Sequence, residues 1–213
     1  MPSLRDILTA HRTLLLIDAC SERVQAAIIQ RDGEIHWESA QEEAGTGVFS
    51  CIDKLGDRVS TVDGYVFCEG PGSILGIRTS AAAIRVWRLL NPKPVWAFRS
   101  LDLLANSVAD KRISVISDAR RDSWHVARSG EKMKRVPTGE LSKEEILATP
   151  ENFRRWSKLP DSVSPILLNY DLATLLPLVW NADLFHPSQA PDAFLHEEPS
   201  YATWSPQIHR AST

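Results

Sequence analysis

Apolar and polar positions alternate between two periods along this chain, and the switches between them mark its elements. Thr13–Asp18 is a short apolar run (Leu14, Leu15, Leu16, Ile17) closed by an aspartate, the pattern of a strand buried on both faces. A polar turn at residues 20–23 leads into Val24–Gln30, rich in Val, Ile and Ala. Asp32-Gly33 in the next turn is a strong hairpin signal, and residues 35–38 alternate as a third strand. The chain therefore opens on a three-stranded meander. Beyond a glycine-containing loop at 42–47, Val48, Ile52, Leu55 and Val59 recur at helical spacing and predict a helix over 48–60. Residues 64–68 form a fourth strand, broken sharply by Glu69-Gly70-Pro71-Gly72-Ser73. A long helix follows over Ile74–Leu90, ended by Asn91-Pro92 because proline disfavours helical geometry in the residue before it. Residues 94–98 form a short strand, and Ser100 caps another helix.

Then the pattern restarts. Residues 112–118 are a strand ending in aspartate, 120–123 a polar turn, 124–128 a second strand, and 133–136 a third. Leu16-Ile17-Asp18-Ala19 matches Ile116-Ser117-Asp118-Ala119 in kind and in place, which implies an internal duplication with its seam near Asp110-Lys111. Ser142 with Glu145 forms a capping box that predicts a short helix, residues 165–169 a strand, and 171–183 a helix containing Pro177. Residues 205–213 read as a loose tail. This order of elements predicts an α/β fold, mixed sheets with helices on their faces.

Composition narrows the task. At 213 residues, 43% hydrophobic and 24% charged, the chain is that of an ordinary globular protein. Lys+Arg 24 against Asp+Glu 27 argues against a chain devoted to phosphate backbone. No apolar run reaches the roughly 20 residues of a membrane span, and no secretory signal opens the sequence. Cys20, Cys51 and Cys68 are odd in number and widely spaced, so neither a disulfide framework nor a zinc site of CxxC type is expected, as in a reduced cytoplasmic protein.

Candidate chemistry concentrates at three places. Asp18 and Asp118 each end a strand, where such sheets bind ligands; they hold a metal or act as base in a shared cleft, or cap the turns that follow. Residues 69–78 form a glycine-rich turn into a helix N-terminus, which either cradles an anion or brings the helix close to the sheet; the Gly-Lys-Ser/Thr of a P-loop is missing. Ser73 reads as a helix cap or, less simply, as a nucleophile beside Gly72. The six histidines include no pair three or four apart, so no helical metal motif is expected.

At Gly70-Pro71-Gly72-Ser73, with Gly76 and Arg78 following at the same spacing, the sequence resembles the TsaB (YeaZ) family. Leu15-Leu16-Ile17-Asp18 with Ser21-Glu22, Asp118-Ala119-Arg120 and Glu198-Pro199-Ser200-Tyr201 resemble further landmarks of that family, in order, across residues 13–204. The chain departs from it at Ala19-Cys20, where hydroxyl residues are usual, at Ile74-Leu75, at Thr79-Ser80, and before the first long helix. The resemblance implies a duplicated ribonuclease-H-like (actin-like) fold, with an N-terminal lobe over 12–110, a smaller C-terminal lobe over 111–204, and flexible ends at 1–11 and 205–213. It implies a non-catalytic subunit in making threonylcarbamoyladenosine on tRNA, partner to a TsaD-type catalytic subunit, joined by a TsaE-type ATPase. It also implies self-association through the same helical surface and tRNA reached only through the complex; no metal and no cofactor are expected, apart from weak nucleotide binding in the cleft.

The long helix fits that role. Arg78, Arg85 and Arg88 share one face, and Ser80, Ala81, Ala82 and Ala83 keep the girth small, which suits either a helical interface or a solvated basic face beside a packing face. With the family in view, Ile77, Arg78, Ala81, Ile84, Arg85, Trp87, Arg88, Val48 and Ile52 are the expected partner interface, Trp87 its anchor. Asp18, Gly70, Pro71, Gly72, Ser73, Gly76, Asp118 and Arg120 are the expected motif and cleft residues. The competing reading is an independent nucleotide-binding or hydrolysing protein that uses the cleft between the lobes.

Overall fold

In the computed structural model, residues 1–141 and 146–194 are described. The capping-box segment at 142–145, the closing motif at 198–201 and the tail at 205–213 lie outside them. The chain begins with α1 (Leu4–Ala10), where the Ser3 hydroxyl accepts from the Asp6 N–H and the Asp6 carboxylate accepts from the Ser3 N–H. Leu4, Ile7 and Leu8 are buried in the core, so residues 4–10 are an anchored helix rather than the loose end expected there.

The meander follows as β1 (Thr13–Asp18), β2 (Val24–Gln30) and β3 (Ile35–Ala40), then α2 (Ala44–Leu55) with a 3-10 turn over Gly56–Thr61. After β4 (Gly64–Gly70) come α3 (Ile74–Leu90), β5 (Val95–Arg99) and α4 (Ser100–Ser107). The second half runs β6 (Ser114–Asp118), β7 (Ser123–Ala127), β8 (Lys134–Pro137), β9 (Leu147–Pro150) and β10 (Ile166–Leu168). It closes with α5 (Leu172–Leu175) and β11 (His186–Pro187). The helix expected over 171–183 is one turn of α5 followed by a 3-10 turn over Leu176–Val179, because Pro177 cannot donate to a longer α-helix.

The duplication is explicit in the sheets. The first has the order β11-β5-β4-β1-β2-β3 and the second β10-β9-β6-β7-β8. In each, the central strand pairs antiparallel with the strand that follows it and parallel with the one after the meander. This is the duplicated ribonuclease-H-like arrangement. α2 and α3 cover one face of the first sheet over Leu15, Ile17, Ile28 and Phe67. The other face (Leu14, Leu16, Ile29, Val66, Phe98) shares one core with α1, α4, Val115 of β6 and Leu172 of α5. The second sheet's outer face, around Ile116 and Trp124, is covered by loop residues such as Leu141, Leu159 and Val163.

The lobes are therefore not cut cleanly at residue 110. β11 pairs with β5, and residues 186–194 return along the first lobe. His186 Nε2 lies 3.2 Å from Glu69, Arg88 donates to the Gln189 carbonyl, Arg78 pairs with Asp192, and the Phe194 N–H bonds the Glu69 carbonyl.

Loss of the α1 cap tests whether this first helix carries stability. Ser3→Ala should lower the unfolding free energy by about 1 kcal/mol in urea titration; an unchanged midpoint would mean that α1 is not anchored by its cap.

Candidate functional site

The glycine turn is explained by what it touches. The Ser73 N–H donates to the Cys20 carbonyl at 2.7 Å. A Cβ on Gly72 would stand 2.3 Å from the Cys20 carbonyl oxygen, and one on Gly76 1.9 Å from that of Ala19. Gly70 sits at φ +109°, in the region that favours glycine. These residues let the first turn of α3 press directly on the chain leaving β1. Ser73 caps α3, its hydroxyl accepting from the Gly76 N–H, and the Ser100 hydroxyl donates to the Pro71 carbonyl. The close helix–sheet packing that the motif allows is present.

The two strand-end aspartates make the same first bond. Asp18 Oδ1 accepts the Cys20 N–H at 2.9 Å, and Asp118 Oδ1 accepts the Arg120 N–H at 2.5 Å, each two residues on. Both cap the turn that follows. Their surroundings differ. Asp18 is wholly buried behind Cys20, and its other oxygen accepts the Tyr170 hydroxyl at 2.6 Å across the lobe boundary. It does not face the cleft, contrary to the expected pairing of the two aspartates. Burial raises its carboxyl above the ordinary range, against the pull of the Tyr170 and Cys20 donors. Asp118 lines the cleft, and its second oxygen accepts the N–H groups of Trp156 and Ser157. Burial opposes it, yet the N–H groups of Ser157, Arg120 and Trp156 hold its carboxyl below the ordinary value.

Asp18 Oδ and the thiols of Cys20 and Cys68 lie within 4.8 Å of one another, the one group of this kind among the described residues with metal-ligating atoms together. Burial pushes both thiols above their ordinary value. With Tyr170 already on the carboxylate, the group works as a hydrogen-bonded plug between lobes. Gln25 strengthens it, accepting from the Leu172 N–H and donating to the Tyr170 carbonyl, and Arg23 pairs with Asp171 at 2.9 Å.

Between the lobes lies a cleft of about 600 Å³, lined among others by Arg23, Glu42, Ser73, Ser117, Asp118 and Trp156. Its cations are engaged, Arg23 with Asp171 and Arg154 with Glu22 at 3.7 Å. The Ser117 hydroxyl is buried and has no hydrogen-bond partner among the described residues.

The expected interface divides. Ile77, Ala81, Ile84 and Val48 are buried inside the monomer, so these four do not face a partner, while Ile52 is half-buried against the core beneath α2. The periodicity was that of the face meeting the sheet. Trp87 is half-buried against Tyr65, ring centroids 5.9 Å apart. Arg78 and Arg88 hold the segment after β11 at Asp192 and Gln189; Arg85 is exposed. The outward face of α3 instead carries Leu75, Ala82, Val86 and Leu89, the three large residues 73%, 55% and 84% exposed, with Phe49 of α2 also exposed. Their spacing of seven, four and three was a legible signal of a second apolar face.

By this architecture the chain is a duplicated ribonuclease-H-like α/β protein. Its particular form is that of solved YeaZ structures. YeaZ from Pseudomonas aeruginosa matches over 86% of this chain and 100% of its own, at 17% identity and a TM-score of 0.59. An uncharacterized protein described as similar to peptidase YeaZ from Pseudomonas aeruginosa matches over 89% of this chain and 99% of its own, at 19% identity and a TM-score of 0.59. No protein-family model matches the sequence, and no curated protein does. The likeness is one of fold. Among the described residues no helix is long and apolar enough to cross a membrane.

Two substitutions test the site. Gly76→Ala should cost about 3 kcal/mol, the upper part of the overpacking range, in urea unfolding. Gly139→Ala, whose Cβ would meet open space, should cost far less, and equal effects would contradict the close contact. Asp18 gives a pH signature. Its raised folded value means that the folded state keeps a proton which the unfolded chain loses near pH 4, so stability falls as pH rises from about 4 through the folded value. Asp18→Asn removes that decline, and the variant should gain on the wild type as pH rises; a difference independent of pH would refute a burial-raised carboxyl.

Proposed function

We propose that this chain is a divergent member of the TsaB (YeaZ) family and acts as a non-catalytic partner subunit in tRNA threonylcarbamoyladenosine formation. In this reading it docks on a TsaD-type catalytic subunit, a TsaE-type ATPase joins the pair, and the complex works in the cytoplasm. The same surface serves for self-association when the partner is missing. The observation that carries the reading is the outward apolar face of α3. Leu75, Val86 and Leu89 are exposed large residues on one helix, with Phe49 exposed on the neighbouring α2, and aqueous exposure of such a face is unfavourable unless something covers it. The fold shared with YeaZ supports the assignment. The aspartates are consistent with a non-enzymatic role, since Asp18 is sealed from the cleft and Asp118 is saturated by backbone donors.

One observation favours a second reading, a nucleotide held between the lobes: the buried Ser117 hydroxyl has no partner among the described residues, and Ser117 lines the cleft. The two separate by experiment. Val86→Glu with Leu89→Glu should weaken association with the TsaD-type protein of the same cell, or with a second copy, by at least about a hundredfold, near 3 kcal/mol. Sedimentation and co-purification of the tagged full chain read the effect. Unchanged association would overturn the docking reading, and saturable nucleotide binding lost in Ser117→Val would establish the other.

A further inference from the structure

The turn between β6 and β7 has a backbone that ordinary residues avoid. Arg120, Arg121 and Asp122 stand in succession at φ +62°, +51° and +50°, and none is glycine. Consecutive left-handed residues are costly, and such strain persists where the surroundings impose it. Here the surroundings are identifiable. Asp118 binds the Arg120 N–H on one side and the N–H groups of Trp156 and Ser157 on the other, so one carboxylate ties this turn to the loop that follows β9. Arg135 reinforces it, donating to the Ser123 hydroxyl at 2.8 Å and to the Ala119 carbonyl at 3.3 Å.

The tie joins two arginine pairs. Arg120 and Arg121 come from the turn, Arg154 and Arg155 from the loop, and all four are exposed, as is Lys158. Trp156 stands among them, 55% exposed, with the Arg120 guanidinium 4.5 Å from its ring centroid. Its ring borders two hollows, the inter-lobe cleft and a smaller one of about 340 Å³ lined by Arg120, Arg121, Asp122 and Ser157. The acids on the same two segments are Asp118, occupied by N–H donors, with Asp122, Glu151 and Asp161, and Glu22 approaches Arg154. Five exposed cations on two tied segments, one of them stacked on an exposed indole, thus make an arginine-rich patch on a chain whose net charge is −3.

We propose that this patch binds a single-stranded stretch of nucleic acid directly, one base stacking on Trp156 while flanking phosphates meet Arg121, Arg154, Arg155 and Lys158. The chemistry is that of single-strand binding surfaces, where an aromatic platform supplies base stacking and a cationic track follows the backbone. An acidic peptide would use the cations but has no planar group for the indole. Asp118 is the positioning residue, since it holds Arg120 over Trp156. The inference goes beyond the docking role of α3 and does not depend on it.

The test uses the full chain and fluorescein-labelled unstructured oligonucleotides of roughly 12 residues, as RNA and as DNA. Anisotropy at about 50 mM salt should show saturable binding below about 0.1 mM, weakening as salt rises. Arg121→Glu with Arg155→Glu should raise Kd at least about tenfold by removing two phosphate contacts. Trp156→Leu should abolish the tryptophan quenching that accompanies binding. Lys54→Glu and Arg58→Glu, exposed cations elsewhere, should change little. Tighter RNA than DNA would identify RNA as the ligand, and equal affinities would support a surface that ignores the ribose 2′-hydroxyl. No saturable binding would overturn the proposal. So would equal losses in the control variants, displacement by polyaspartate as effective as by oligonucleotide, or displacement by a mononucleotide at the oligonucleotide's own affinity. Val86→Glu with Leu89→Glu should leave oligonucleotide binding intact, so failure of the docking reading and failure of this one are told apart.

Discussion

A buried carboxylate holds the two halves of this molecule together. Asp18 ends the central strand of the first lobe with no access to solvent, and the Tyr170 hydroxyl of the second lobe donates to its carboxylate. Neither group is cheap to bury alone; together, in a pocket completed by Cys20 and Cys68, each satisfies the other. Gln25 and Arg23 extend the join to Leu172 and Asp171. The position of the cleft, the reach of the loop after β9 across to Glu22, and the shared core beneath β1 all follow from lobes clasped at this point.

The second constraint is the absence of side chains at Gly72 and Gly76. It brings α3 against the end of β1, which turns one face of that helix entirely inward. Ile77, Ala81 and Ile84 are consumed by that contact. Whatever the helix offers to another molecule must come from the opposite side, where Leu75, Val86 and Leu89 remain.

Much of this was legible in the residues. The meander, β4, α3 and the restart after residue 110 rest on hydrophobic periods of two and 3.6, which report burial directly. The paired Asp-Ala at residues 18–19 and 118–119 marked the duplication, and their matching turn bonds give the physical reason. The failures have equally specific causes. α3 is apolar on two sides, and helical spacing alone does not say which side meets a sheet. β9 is four residues ending in proline, too short to show alternation. α1 carries a capping pair at Ser3 and Asp6 and an apolar set at Leu4, Ile7 and Leu8, a pattern that a reading begun at the first strand passes over. Trp156 and the left-handed turn beside it have no sequence signature, because a bond between residues 38 apart creates them.

The returning strand β11 bears on how the protein is made. It covers the edge of β5 with residues that emerge some ninety positions later, and the contacts at Gln189, Asp192 and Phe194 come later still. During synthesis the first lobe therefore waits with an open sheet edge and an unlaced flank until residues 186–194 have left the ribosome, the interval in which strand edges recruit neighbours. Truncation after α4 would hold the molecule in that state, so the first lobe depends for its own folding on residues beyond its sheet rather than standing alone.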